Sequence, residues 1–151
     1  MEKEEIEKLI EIIKDSLSDD LLKPEYRKLE NRHRTTGHCY IASEALYHLM
    51  GGKDRVSSYS GRDSENDTHW WLVDKVTGEI YDPTAEQYYH ENEKPPYENG
   101  RPCGFLTRVQ SKRCAILLER VYKELKKIEL KNTNISEGAE ETPSSRPRMK
   151  R

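Results

Sequence analysis

Long apolar runs are missing from this chain of 151 residues. No stretch approaches the roughly 18 residues that a membrane-spanning helix needs, so no membrane partner is expected. Cysteine is scarce: three in all, too few to pair completely and with no C-x-x-C spacing. That excludes a disulfide framework, weakens a structural zinc site, and points to a reducing, cytoplasmic setting. Neither charge sign dominates, and a net charge of -2 provides no global basic field, so non-specific nucleic-acid binding is not expected. The start, Met1-Glu2-Lys3-Glu4-Glu5, lacks the basic-then-apolar order of a secretion signal, and Asn66-Asp67-Thr68 and Asn134-Ile135-Ser136 then read as chance sequons. Only 33% of residues are hydrophobic and 36% are charged, so much of the chain must be solvated surface or tail. The length still suffices for one domain with a real core.

What is present has a readable period. Ile6, Leu9, Ile10, Ile13 and Leu17 share one helical face, predicting an amphipathic helix over Glu4–Leu17. Pro24 to Arg34 reads as a connection with little regular structure. Thr35-Thr36-Gly37 punctuates the chain before a second, more apolar helix carrying Ile41, Ala42, Ala45, Leu46 and Leu49, stopped by Gly51-Gly52. Arg55 to Ser60 fits a strand, and residues 61–67 a polar loop. Thr68–Asp74 and Glu79–Asp82 fit a hairpin across Lys75-Val76-Thr77-Gly78. Centred on Lys75-Val76, it sets His69 directly opposite Asp82; a bulge at Gly78 makes them diagonal neighbours on the same face. Pro83 to Gly104 reads as a long loop with a short helix at Ala85–Tyr89. Ser111 caps a third helix with Cys114, Leu117, Leu118, Val121, Tyr122 and Leu125 on its buried stripe. The domain is expected to span residues 1–130, with a disordered polar tail over 131–151.

Three residues in this frame carry chemistry. Cys39 falls in the first turn of the second helix, where unpaired N–H groups and the macrodipole favour an anion. A thiol attacks only as thiolate, and a helix start with a nearby imidazole is the usual means of producing one. His69 begins a strand and Asp82 ends its partner, which permits an imidazole–carboxylate contact. Gly37-His38-Cys39-Tyr40 with Ala42, His69 with Trp71 two positions on, and Asp82-Pro83-Thr84 resemble the transglutaminase-like branch of the papain-like superfamily. The resemblance covers about Thr36 to Gln87. It implies an α+β, papain-like core, with the Cys39 helix packed on a small antiparallel sheet and flanked by N- and C-terminal helices. It also implies Cys39 as nucleophile, His69 as general base then acid, and Asp82 as the group that orients the imidazole. Substrate contacts are expected from His38, Trp71 and Gln87. A second likeness, to small uncharacterised phage-type proteins, runs through residues 37–49, Ala85-Glu86-Gln87-Tyr88, Cys103-Gly104-Phe105-Leu106-Thr107 and Ser111-Lys112-Arg113, and implies no activity.

Each residue has a plainer reading. Cys39 can be a small core residue, His69 a packed strand histidine, Asp82 a turn residue before Pro83, and both tryptophans core. Zinc held by Cys39, His38, His69 and Asp82 is the chemical rival; Cys103 and Cys114 read as structural. The expectation is a cofactor-independent cysteine hydrolase of the protease or amidase type, acting on an amide or isopeptide bond of a protein or peptide. Transfer to an amine acceptor is the variant. A non-catalytic, virus-encoded interaction protein on the same fold is the alternative from another class.

Overall fold

The computed structural model describes residues 1–28, 33–107 and 109–140, with side chains of 133–140 outside the description. Its first helix, α1 (Lys3–Ser16), turns Ile6, Leu9 and Ile13 inward, as their spacing predicts. Glu5 accepts the Glu2 N–H at 2.9 Å and closes the helix start. One helical turn, α2 (Pro24–Arg27), occupies the segment expected to be irregular, with Pro24 at the first position that tolerates it. The apolar helix α3 (Cys39–Leu49) buries Ile41, Ala42, Ala45 and Leu46. Gly51 follows at φ +105, the left-handed conformation that ends a helix most readily with glycine.

Four strands make one antiparallel sheet in the order β3-β2-β1-β4: β1 (Val56–Arg62), β2 (Thr68–Asp74), β3 (Ile80–Tyr81) and β4 (Arg101–Pro102). The two faces of β2 have different company. Leu72, with Val56 and Tyr81, joins the core formed by α1, α3 and α5 (Lys112–Glu140). On the other side His69 and Trp71 meet Tyr88 and Tyr97. The chain is therefore α+β, with the Cys39 helix against a small antiparallel sheet and helices at either end.

Of the two hairpin registers considered from sequence, the structure takes the diagonal one. Leu72 lies opposite Tyr81 and Val73 opposite Ile80. Continued by one residue, that register sets Asp82 across from Trp71 and makes it the diagonal neighbour of His69. The cause is the turn. Asp74 Oδ1 accepts the N–H groups of Val76 and Thr77, Gly78 takes φ +77, and the Asp74 N–H reaches Glu79 O at 2.8 Å, so four residues form the loop. Edge strand β4 was not foreseen, because two residues carry no alternation to read.

At the C-terminal end the expected tail begins as helix: α5 continues to Glu140, ten residues past Leu130, where the domain was expected to end. Residues 131–140 extend a helix whose earlier turns are already packed, so each adds a backbone hydrogen bond without the cost of a new nucleus. The remainder of that expected tail, residues 141–151, lies outside the described residues.

Helices α3 and α5 are joined by a buried carboxylate. Glu44, 1% exposed, accepts both the N–H and the hydroxyl of Ser111 at 2.8 Å, while Ser111 Oγ accepts the Cys114 N–H at 3.3 Å. Ser111 is thus the helix cap expected, with Glu44 holding it. Burial, then the Glu44 charge, push the Cys114 thiol up to about 12, as fits a structural cysteine. Replacing Glu44 by Ala should destabilise the protein by about 2–4 kcal/mol, since hydrogen bonds to charged groups contribute about 1.5–3 kcal/mol each and are not additive. Chemical denaturation checks this; an unchanged midpoint would mean that water replaces the carboxylate without loss.

Candidate active site

The turn before α3 is built to present Cys39. The Thr36 N–H bonds to His33 O and the His38 N–H to Thr35 O, and Gly37 lies at φ +82. A Cβ at Gly37 would stand 2.8 Å from the Tyr26 ring, so glycine is required both by conformation and by space. Cys39 is the first residue of α3. The first intrahelical bond runs from Ala42 N to His38 O, so the N–H groups of Cys39, Tyr40 and Ile41 have no intrahelical acceptor. The half-buried Cys39 thiol sits over the start of β2, with Sγ 3.7 Å from Thr68 O.

His69 is the next residue of β2, and its side chain is 0% exposed. Nε2 lies 2.7 Å from Asp82 Oδ2. Asp82, its side chain 3% exposed, also accepts the Tyr97 hydroxyl at 2.8 Å and, at Oδ1, the Thr84 N–H at 3.1 Å. Trp71 stacks on the imidazole (5.7 Å between centroids, 29°), and Tyr88 meets it edge-on at 4.8 Å. With Nε2 engaged by the carboxylate, Nδ1 is the atom left for the thiol. It makes no hydrogen bond of ordinary geometry, although Cys39 is near enough to act on the ring's charge. We read this as a contact that is electrostatically close and not yet aligned, because such bonds tighten only when substrate is present.

Burial opposes a charged His69. Only together do the Asp82 hydrogen bond, the Cys39 contact and the charges of both groups outweigh it and hold the imidazole up to about 9. Burial, then the Asp82 charge and hydrogen bond, push the Tyr97 phenol up, so it remains a donor to the carboxylate.

Two neighbours fix this arrangement from outside. A Cβ on Gly100 would come within 2.2 Å of the Trp71 ring, so only glycine lets the 97–100 turn close over the tryptophan and bring Tyr97 to Asp82. Lys14 of α1 holds Glu86 of α4 (Glu86–Tyr89) at 3.1 Å, which anchors the segment carrying Gln87 and Tyr88.

Beside the thiol opens a cleft of about 300 Å³, with Cys39, Gln87 and Tyr26 in its wall. Gln87 therefore stands where a substrate contact was expected, its Nε2 donating to Thr84 O at 3.1 Å. The substrate contacts expected of His38 and Trp71 fail on access: they are 2% and 1% exposed, and Trp71 backs the imidazole instead. Sequence reading missed Tyr97 and Thr84 as partners of Asp82. Thr84 could have been found from the Asp-Pro-Thr turn, whereas Tyr97 is one tyrosine among nine with no local signal.

The zinc set considered from sequence is not assembled as ligands, since His69 and Asp82 are bonded to each other. Among the described residues, Glu44, His48 and Cys114 bring ligand atoms within 4.8 Å of one another. That set fits a metal poorly: both Glu44 oxygens accept from Ser111, and the Cys114 thiol resists the deprotonation that ligation requires. No helix among the described residues is long and apolar enough to cross a membrane.

The class defined here is an α+β domain with a cysteine at a helix start facing a buried histidine–aspartate pair. The chain belongs to the YunG family, whose model, described as YunG protein, matches residues 5–126. No curated protein and no solved structure matches it.

The raised His69 value gives a stability prediction. A group whose folded value lies above its unfolded one, here about 6.5, stabilises fully below that pH and loses the contribution as pH rises through about 9. Unfolding free energy should therefore fall between about pH 6.5 and pH 9, by at most about 3 kcal/mol. His69→Gln should flatten that limb; denaturation midpoints with the same slope in both proteins would remove His69 as its source.

Proposed function

We propose that this protein is a cysteine-dependent hydrolase of an amide or isopeptide bond, acting through Cys39, His69 and Asp82 on a papain-like core of the transglutaminase-like branch. The observation that carries the reading is the relay itself. A half-buried thiol at a helix start stands beside a fully buried imidazole, whose far nitrogen is held 2.7 Å from a buried carboxylate. A histidine serving only as core needs neither an unbonded Nδ1 nor a thiol next to it.

In the first step the Cys39 sulfur, whose proton His69 holds, attacks the carbonyl carbon. The oxyanion forms at the start of α3, where the Cys39 N–H is a free donor. The C–N bond then breaks, and the departing amine takes the proton from His69. Water next attacks the thioester, losing a proton to His69; the carboxylic acid leaves and the thiol is restored. Across the cycle one amide and one water become one acid and one amine. Asp82 holds the ring with Nδ1 toward the sulfur and favours the imidazolium while it exists. Trp71 and Tyr88 keep water off the ring, which strengthens that interaction.

Brief iodoacetamide treatment near pH 6 followed by peptide mass mapping should label Cys39 ahead of Cys103 and Cys114. His69→Ala should slow that labelling by about tenfold or more, since a thiolate without its imidazole partner is far scarcer. Equal labelling of Cys39 and Cys103, or indifference to His69, would leave an ordinary surface thiol and end the catalytic reading. Independently, Cys39→Ser should keep the fold and the melting temperature while abolishing turnover of any substrate captured with it; a serine variant that still turns the substrate over points to another nucleophile.

A further inference from the structure

Carboxylates crowd the cleft beside Cys39. Asp63, Glu65, Asp67, Glu91 and Glu93 line it, and among the described residues no lysine or arginine does. Asp63 has a structural duty: it accepts the N–H groups of Glu65 and Asp67 and the Tyr88 hydroxyl at 2.7 Å. The other four side chains are exposed, and among the described residues one hydrogen bond reaches any of them, from Ser64 Oγ to Glu93 at 3.4 Å. Among the described residues nothing neutralises them.

Such charges cannot serve the thiol. Negative groups beside a sulfur oppose its thiolate form, so a site built only to activate Cys39 would omit them. Their field already reaches the wall of the cleft: burial raises the Tyr26 phenol first, and the Asp67, Cys39, Glu25 and Asp63 charges raise it further. The cleft also contains the point where a ligand must arrive, because the buried His69 has its unbonded Nδ1 on the Cys39 side. A carbonyl placed on that sulfur brings its neighbouring groups into a cavity of about 300 Å³ walled by acid.

We propose that the cleft binds a cationic nitrogen group of the substrate, the ammonium or guanidinium of a basic side chain near the bond attacked or a free alkylamine. This deepens the hydrolase reading, resting on Cys39 as the reacting atom. It also supplies what the sequence did not mark, a place where an amine sits beside the acyl-enzyme. Glu65, Asp67, Glu91 and Glu93 confer the selectivity. Gln87, uncharged on the same wall, leaves the field to them.

The test measures the charge preference of the thiol itself. Wild-type protein is treated at about pH 9, where an ordinary thiol ionises without help, with a quaternary-ammonium methanethiosulfonate and with its sulfonate counterpart. Modification of Cys39 is followed by mass, and each rate is divided by that of the reagent with free 2-mercaptoethanol. The cationic reagent should be favoured by about tenfold or more, the lower end of electrostatic focusing in a cleft. The preference should shrink toward unity in the Glu65→Gln/Asp67→Asn/Glu91→Gln/Glu93→Gln protein. If that variant misfolds, wild type in rising salt replaces it: from about 10 mM to about 1 M the screening length drops from about 30 to 3 Å, and the preference should drop with it. Equal normalised rates, or a preference that survives both neutralisation and salt, would overturn the proposal. Protection from iodoacetamide by a capped lysine peptide, its norleucine counterpart and spermidine identifies the source. Protection by the lysine peptide alone assigns a basic side chain, protection by spermidine assigns a free amine, and equal protection by the norleucine peptide overturns the proposal. A thiol with the charge preference but no dependence on His69 would sink the hydrolase and leave the cation site standing.

Discussion

A carboxylate taken out of water must be met by donors, and the site is organised around meeting Asp82. Its side chain is 3% exposed, and three different parts of the chain converge on it: His69 from β2, Thr84 from the turn that follows it, and Tyr97 from the segment before β4. An isolated buried charge is strongly unfavourable, whereas one with paired and hydrogen-bonded neighbours is tolerated. The same contacts hold the imidazole in one orientation. The electrostatic demand of one group thereby sets the geometry of the next, and the thiol at the start of α3 is the last member of the series.

The surrounding fold meets that demand with few residues. Glycine at 100 allows the Tyr97 turn to lie on Trp71, and Gly37 allows the turn before α3 to lie on Tyr26. Trp71 was expected as a possible wall of the substrate site and is instead a wall of the imidazole. That exchange has an electrostatic consequence. A ring shielded on both sides from solvent interacts with its carboxylate at low dielectric, so the interaction that orients it is also the one that favours its charge.

Two settings of the carboxylate show how context decides its use. Glu44 is sealed between α3 and α5, both oxygens satisfied by Ser111, and serves the fold. Glu65, Asp67, Glu91 and Glu93 are exposed at the mouth of the cleft, without cationic partners among the described residues, and their field acts outward. Composition alone, with 28 acidic against 26 basic residues, conceals this separation, because no described lysine or arginine lines the cleft.

Local period and punctuation determined the elements. The apolar spacings of α1, α3 and the first half of α5, the Gly51 stop, the Ser111 cap and the full extent of β2 were legible because each rests on neighbours within a few residues. The three chemical residues were legible as types at element ends. Register was legible only as two alternatives: a four-residue turn held by Asp74 selects the diagonal placement of Asp82 over the one directly opposite His69, a matter of one side chain's hydrogen bonds. The end of α5 was misjudged because a helix of polar residues leaves no hydrophobic signature. What only tertiary structure decided was company: which tyrosine donates to Asp82, which tryptophan backs the ring, and that five carboxylates from two separate loops share one cleft. Sequence records such contacts weakly, because residues 64 and 93 meet through space, and the chain between them carries no trace of the meeting.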